Sequence, residues 1–252
     1  MTRVLVLGAT GRMGRSVIAE ASARDDVHVV AGVGRESGEI DGVPVEPADA
    51  LGSVLSEYDP DVLIDFSVPD ASVEFVTECA DAGVPCVVGT TGFTEDDEVA
   101  LREASEHAPV LVASNFSRGV QALLRAVEGA VSDLPGYDVE LTETHHNGKR
   151  DAPSGTAKTV LDRITAAGGP EERVHGREGD APRQENEIGV HARRAGGIAG
   201  EHEVLLANDH EELRLAHRAA DRAVFADGAL DAAVWLAGRT PGWYGFDEVI
   251  TA

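Results

Sequence analysis

The stretch Glu140–Lys158, ELTETHHNGKRDAPSGTAK, gathers proton-carrying and cationic side chains in a short space. Val139–Thr144 alternates apolar with polar or small residues and reads as a strand. A polar loop follows, holding His145, His146, Lys149 and Arg150. Asp151-Ala152-Pro153-Ser154 is a helix-start signal, with Gly155 and Thr156 as first-turn residues. Free backbone N–H groups at a helix N-terminus bind carboxylate or phosphate. Histidine titrates near neutrality, and lysine offers a compact charge with a tunable pKa. The layout suits a small anionic substrate that needs a proton delivered. A solvated basic loop is the plain alternative. Against it, the chain has 21 basic residues and only two are lysines, Lys149 and Lys158, both in this stretch.

A second constellation lies at the N-terminus. Arg3–Leu7 reads as a strand, and Gly8-Ala9-Thr10-Gly11-Arg12-Met13-Gly14 follows at once. A helix over about Arg12–Ala23 and a strand over Val27–Val33 complete a β–α–β unit of the dinucleotide-binding type. Gly8 permits a tight turn, Gly11 lets a pyrophosphate approach the backbone, and Gly14 lets the helix pack on the sheet. Thr10 stands where the usual motif has its second glycine. Twenty residues past Gly14 come Gly34 and Arg35. An acid near there would bind the 2′-hydroxyl of NAD, and an arginine suits the 2′-phosphate of NADP. Here there is an arginine and no acid at 34.

The elements that must position these groups alternate. Helices are expected over Ala48–Tyr58, Asp70–Ala82 and Glu95–Glu106, and strands over Asp61–Phe66, Pro85–Val88 and Pro109–Ala113. Ile40–Val45 reads as irregular. Alternation implies a doubly wound parallel sheet, with ligands beyond its C-terminal strand ends. Gly89-Thr90-Thr91-Gly92 and Ala113-Ser114-Asn115-Phe116 occupy two of those ends as a polar rim suited to a nicotinamide. After Phe116 the pattern changes. Helices are expected over Val120–Val131 and Ser154–Ala166, and strands over Tyr137–Thr144, Ile188–Arg194, Glu201–Ala207 and Glu212–His217, the last two as a hairpin. Gly168–Asn186 reads as a long polar loop, Phe225–Gly238 as a helix and Asp247–Ile250 as a short end segment. The fold class is α/β: a doubly wound parallel-sheet dinucleotide-binding domain over 1–117 and 226–252, and a second α+β domain with a mixed or antiparallel sheet over 118–225.

Bulk properties narrow the partners. The net charge of −24 disfavours nucleic acid and anionic membranes. No run of eighteen apolar residues marks a membrane span, and the N-terminus has no signal-peptide layout. Two cysteines, Cys79 and Cys86, give neither a disulfide framework nor a metal site, and a reducing cytoplasm fits. Forty-five acids with two lysines resemble the composition of proteins from salt-loving organisms.

With these pieces placed, the chain resembles the dihydrodipicolinate reductase (4-hydroxy-tetrahydrodipicolinate reductase) family of lysine and diaminopimelate biosynthesis. The resemblance runs over nearly the full length. It rests on GATGRMG at 8–14, IDFSVP at 64–69, GTTGF at 89–93 and SNFSRGV at 114–120. It continues in HHNGKRDAPSGTA at 145–157, GREG at 176–179, RAGGIAGEHEV at 194–204 and FADGALDAAVWLAG at 225–238. The HH…K…APSGTA element is the family's specific mark.

The resemblance implies an NADPH- or NADH-dependent enzyme acting on a small dicarboxylate, with no metal. It implies dinucleotide binding by Gly8, Ala9, Thr10, Gly11, Arg12 and Met13, with Arg35 near the adenosine ribose. Gly89, Thr90, Thr91, Ala113, Ser114, Asn115 and Phe116 would lie on the nicotinamide side. His145 and Lys149 are implied as proton carriers, and His146, Ser154, Gly155 and Thr156 as substrate-binding residues. A homotetramer built through the second domain's sheet is implied too. Two departures stand out: many members carry an acid at the position of Gly34, and the loop reads HHNGK where some have HHRHK. A semialdehyde dehydrogenase would need a catalytic thiol, but Cys79 falls mid-helix and Cys86 inside a strand. A dinucleotide-sensing regulator would have no use for His145, His146 and Lys149 in one loop.

Overall fold

The computed structural model describes residues 1–251. The chain divides into two compact units, one of residues 1–116 with the chain from Arg222 onward, the other Ser117–Asp221.

The first unit opens with β1 (Thr2–Leu7), α1 (Arg12–Ala21), β2 (Val27–Gly34), β3 (Gly38–Ile40), β4 (Val43–Pro47) and a 3-10 turn at Ala48–Ala50. It continues with α2 (Leu51–Tyr58), β5 (Val62–Asp65), α3 (Pro69–Asp81), β6 (Cys86–Val88), α4 (Glu95–Ala104) and β7 (Pro109–Val112). The second unit follows as α5 (Arg118–Asp133), β8 (Asp138–His145), α6 (Gly155–Ala166), β9 (Glu172–His175), β10 (Glu187–Arg194), β11 (Gly200–Ala207) and β12 (Glu212–Ala219). The chain then completes the first unit with α7 (Ala223–Leu236), β13 (Gly242–Tyr244) and α8 (Phe246–Thr251).

The first unit's sheet runs β13-β7-β6-β5-β1-β2-β4-β3, parallel except for β3 against β4. Strand β1 is central, and Val4–Leu7 are fully buried. Helices cover both faces of such a strand, so it reads as an unbroken apolar run. Val4 and Val6 join one core and Leu5 and Leu7 the other. Helix α1 buries Gly14, Val17, Ile18 and Ala21, the spacing of one helical face. Helix α4 starts on a capping box of Thr94 and Asp97, and its first turn carries four acids, where the helix dipole favours them.

Three expectations need correction. The segment expected to be irregular at Ile40–Val45 contributes to an edge hairpin, β3 with β4. The long polar loop expected at Gly168–Asn186 contains β9, paired parallel to β10. The C-terminal segment holds a further strand, β13 on β7, and a helix where only a short end segment was expected.

The second unit's sheet runs β12-β11-β8-β10-β9 and is mixed: β8, β10 and β9 are parallel, while β11 is antiparallel to β8 and β12. Its core joins Val120, Leu124 and Val127 of α5 and Val160, Leu161 and Ile164 of α6 to one sheet face. That face is apolar for two cross-strand rows, Ile188–Val139–Leu206 and Val190–Leu141–Val204. The next row is Ala192–Glu143–His202, and Arg194–His145 follows. The same strand face that begins as core therefore ends as a buried polar site. Among the described residues no helix is long and apolar enough to cross a membrane.

Candidate active site

The strand ends of the first unit form a cleft of about 450 Å³ lined in part by Gly8, Thr10, Gly11, Gly34, Arg35 and Phe66. Gly8 has φ +71°, and a Cβ there would lie 2.5 Å from the Phe66 carbonyl oxygen. This one position needs glycine both for its left-handed backbone and for the close pass of β5. Gly11 is the N-cap of α1, with no side-chain cap and no acid in the first turn. The helix N-terminus is thus left electropositive at the cleft. Thr10 and Arg12 are exposed, Met13 is half-buried, and Ala9 is buried with its amide bonded to the Val33 carbonyl at 3.0 Å. Arg35 is exposed at the end of β2. A Cβ on Gly34 would stand 2.8 Å from Thr10 Cγ2. The residue that replaces the middle glycine of the motif therefore occupies the space an acid at 34 would need.

At the end of β5, Asp65 is fully buried. Its Oδ2 accepts from Ser72 Oγ at 2.5 Å and Thr90 Oγ1 at 2.7 Å, and its Oδ1 accepts from the Ser67 amide at 2.9 Å. This holds Thr90 in place, while Thr91 is exposed. Gly89 lies directly against the Phe66 ring, with no room for a Cβ. Ala113 and Asn115 are half-buried and Ser114 is exposed. Phe116 is different: it is buried and packs edge-on between Phe66 and Phe246, at 5.9 and 5.3 Å between ring centres. Its side chain is core, and its carbonyl packs against Gly228 of α7.

In the second unit, His145 ends β8 on the helix-covered face and is nearly buried. Its Nδ1 lies 2.6 Å from Glu143 Oε2, and its ring meets that of His202 edge-on at 5.2 Å. Arg194 forks onto Glu143, Nη1 to Oε2 and Nη2 to Oε1, both at 2.8 Å. Lys149 Nζ pairs with Asp151 Oδ1 at 2.9 Å, and Arg194 Nη2 donates to the Asp151 carbonyl at 2.6 Å. Ser154 caps α6, its Oγ accepting from the Ala157 amide at 3.1 Å and lying 3.1 Å from His202 Nε2. The first turn of α6 has no acid; Gly155 is exposed and Thr156 buried. His146 is half-buried in the loop, and Lys158 is exposed on α6. So His145, Lys149, Ser154 and the α6 start converge, whereas Lys158 points to solvent.

Burial pushes His145 below its ordinary value; the hydrogen bond and charge of Glu143 pull it back, and the charges of Lys149 and Arg194 push it down again. Burial raises the Glu143 carboxyl, but Arg194 and His145 together bring it below the usual range. Burial, then the charge of His145, takes His202 down to about 4. Three members of this network, Glu143, Arg194 and His202, are not among the residues singled out from sequence. Glu143 carried a signal: in the alternation Val139, Leu141, Glu143, His145 it sits on the core face. Arg194 and His202 come next to it only through strand register. Among the described residues no group of three or more His, Cys, Asp or Glu is placed to hold a metal ion.

Comparison with known proteins meets this geometry at both ends. The family model described as dihydrodipicolinate reductase, N-terminus, matches residues 2–116, and the one described as dihydrodipicolinate reductase, C-terminus, matches 119–250. The chain belongs to the dihydrodipicolinate reductase family. It is 55% identical over 248 residues to the 4-hydroxy-tetrahydrodipicolinate reductase of Natronomonas pharaonis, covering 98% of this chain and 99% of that one. It is 54% identical to that of Haloarcula marismortui, with both chains covered in full. The fold matches a dipicolinate-bound dihydrodipicolinate reductase from Paenisporosarcina with a TM-score of 0.81 at 25% identity, over 98% and 99% of the two chains. The family uses NAD(P)H, and the first unit's cleft fits a dinucleotide. A Cβ-free turn, an uncapped helix N-terminus and an arginine at the end of β2 are what a pyrophosphate and a ribose phosphate require.

Proposed function

We propose that His145 and Lys149 carry the protons, and that His146, Ser154, Gly155 and Thr156 hold the dicarboxylate, in the NAD(P)H-dependent reduction of 4-hydroxy-tetrahydrodipicolinate. That reaction, a step of lysine biosynthesis through diaminopimelate, is the one the family performs. The observation that carries the site assignment is local. A buried histidine and one of the chain's two lysines flank a helix N-terminus that has no acid in its first turn.

Loss of the 4-hydroxyl as water leaves a conjugated, unsaturated imine ring, to which a bound nicotinamide would supply hydride. The ring then needs a proton, and the proton-carrying groups beside the start of α6 are the imidazole of His145, held by the Glu143 carboxylate, and the ammonium of Lys149. Lys149 and the amides at the start of α6 attract a carboxylate and stabilise charge that develops beside it. Ser154 fixes that helix start through its cap. On the cofactor side, Gly8, Ala9, Thr10, Gly11, Arg12 and Met13 would hold the pyrophosphate end and Arg35 a ribose phosphate. The turns 89–91 and 113–116 would border the nicotinamide. On this reading the stretch 1–116 with the chain from Arg222 onward binds the dinucleotide, and Ser117–Asp221 binds substrate and assembles the oligomer.

The same reading takes the protein as a homotetramer joined through the five-stranded sheet, whose face opposite α5 and α6 carries no helix of its own unit. Light scattering that returned a monomer at working concentration would contradict it. Cytoplasmic residence fits the free, buried Cys79 and Cys86. The site assignment is tested by His145→Ala and Lys149→Ala singly. Each is expected to lower kcat by about 10²-fold or more, the scale of a positioned acid or base, with NADPH affinity unchanged. Wild-type turnover in either variant removes that residue from its role.

A further inference from the structure

We propose that Glu143 is the positioning residue for His145 and makes Nε2 the ring nitrogen that gains and gives the transferable proton. This rests on the reading of His145 as a proton carrier.

Glu143 and His145 are two residues apart on β8, so both side chains leave the same face of the strand. Glu143 is fully buried. A buried carboxylate is costly unless its charge is matched and its lone pairs are filled. Here both conditions are met. The Arg194 fork supplies two N–H groups at 2.8 Å, the Ser154 amide one at 3.2 Å, and the imidazole one at 2.6 Å. An ionised carboxylate only accepts hydrogen bonds. The short contact therefore requires a proton on His145 Nδ1, and the neutral ring has its lone pair on Nε2. The Nε2 side is kept clear by Gly200, where a Cβ would stand 3.2 Å away.

The groups facing His145 come from four elements: Glu143 on β8, Arg194 on β10, His202 on β11 and Lys149 in the loop before α6. Of these only Glu143 is negative, so it alone offsets the burial and cationic charge that oppose an imidazolium. Its reach extends further. Arg194 also grips the Asp151 carbonyl, and the Asp151 carboxylate holds Lys149. One buried carboxylate thus aligns His145 directly, Lys149 through Arg194, and the start of α6 through the Ser154 amide.

The test combines histidine nitrogen NMR with kinetics on the intact enzyme. In the wild type, neutral His145 should give the Nδ1–H tautomer, its signals assigned by their loss in His145→Gln. A wild-type Nε2–H tautomer overturns the proposal without any Glu143 variant, so it stays decidable if Glu143→Gln fails to fold. In folded Glu143→Gln the tautomer preference should be lost and the His145 titration should move to lower pH. Its kcat should fall about 10-fold or more, the lower end of the loss found when the hydrogen-bond partner that orients a histidine is removed. KM should change less than kcat. The double variant should lose less than the two single losses combined, because most of the effect of Glu143 passes through that ring. Additive losses, or a Glu143→Gln enzyme with wild-type kcat and titration, overturn it. Full turnover in His145→Gln would instead strike the proton-carrier reading.

Discussion

At the strand ends of the first unit, glycines and an uncapped helix start bring backbone to the surface of the cleft region. Gly8 has no side chain because Phe66 passes too close, Gly89 has none because the Phe66 ring lies on it, and α1 presents bare amides behind Gly11. At the end of β8 the surface is made of side chains. Glu143, His145, Arg194 and His202 replace apolar residues on the core face of a sheet, and each is held by another member of the set. The first region should respond to changes in volume and ignore pH. The second should respond to charge and titrate.

The largest effect expected is on the titrating side. His202 is buried, with its pKa down from 6.5 to about 4 and its Nδ1 without a hydrogen-bond partner. Below pH 6.5 the unfolded chain binds a proton that the folded chain refuses until about 4. The stability tied to His202 is therefore full above 6.5, is lost as pH falls towards 4, and amounts to about 3 kcal/mol at 1.36 kcal/mol per unit. Chemical denaturation across that range should show a steeper decline in wild type than in His202→Gln. Parallel curves would place the charge sensitivity elsewhere.

On the backbone side, Gly8→Ala combines a left-handed φ with a 2.5 Å clash, an overpacking cost of about 1–3 kcal/mol. NADPH affinity should fall, and the pH profile of kcat should keep its shape. A shifted profile in Gly8→Ala would dissolve the contrast between the two regions.

A smaller effect concerns the cofactor itself. NADPH should be used at least as well as NADH, since Arg35 can pair with a 2′-phosphate and no acid stands at 34. Gly34→Glu alone should do little for NADH because Thr10 fills its space; with Thr10→Gly added, NADH preference should rise about tenfold, or about 1.4 kcal/mol. Binding titrations with both cofactors decide this. If Gly34→Glu alone switches preference, Thr10 plays no part.

The smallest expected shift is in salt response. With 45 acids against 21 basic residues, and salt-loving archaea among the relatives, screening should raise the melting midpoint by a few degrees or more between about 0.1 and 3 M KCl. A flat midpoint would mean the acids are locally paired, as Arg24 is with Asp26, Asp227 and Asp231.

The same contrast explains what could be read from sequence. The β1 turn is contiguous, so GATGRMG and the strand before it placed Gly8, Gly11 and α1 directly. The loop HHNGKRDAPSGT is contiguous too, and it placed His145, Lys149 and the Ser154 cap. Arg194 lies 51 residues beyond Glu143 and meets it only because β10 pairs in parallel with β8 in one register, which no local pattern encodes. The missed strands have the same cause. β3 and β13 are three residues long, β4 carries two prolines, and β9 is an edge with mostly exposed side chains, so none shows a periodicity to read.

The most direct measurement is NADPH oxidation in concentrated KCl, started with freshly made dihydrodipicolinate synthase product, for wild type and for the His145→Ala/Lys149→Ala double variant, with NADPH affinity measured on both. Wild-type oxidation should depend on that product, and the double variant should lose at least about 10²-fold in kcat while binding NADPH as before. Oxidation that ignores the product, or a double variant that turns over at the wild-type rate, would contradict the assignment of this loop as the active site.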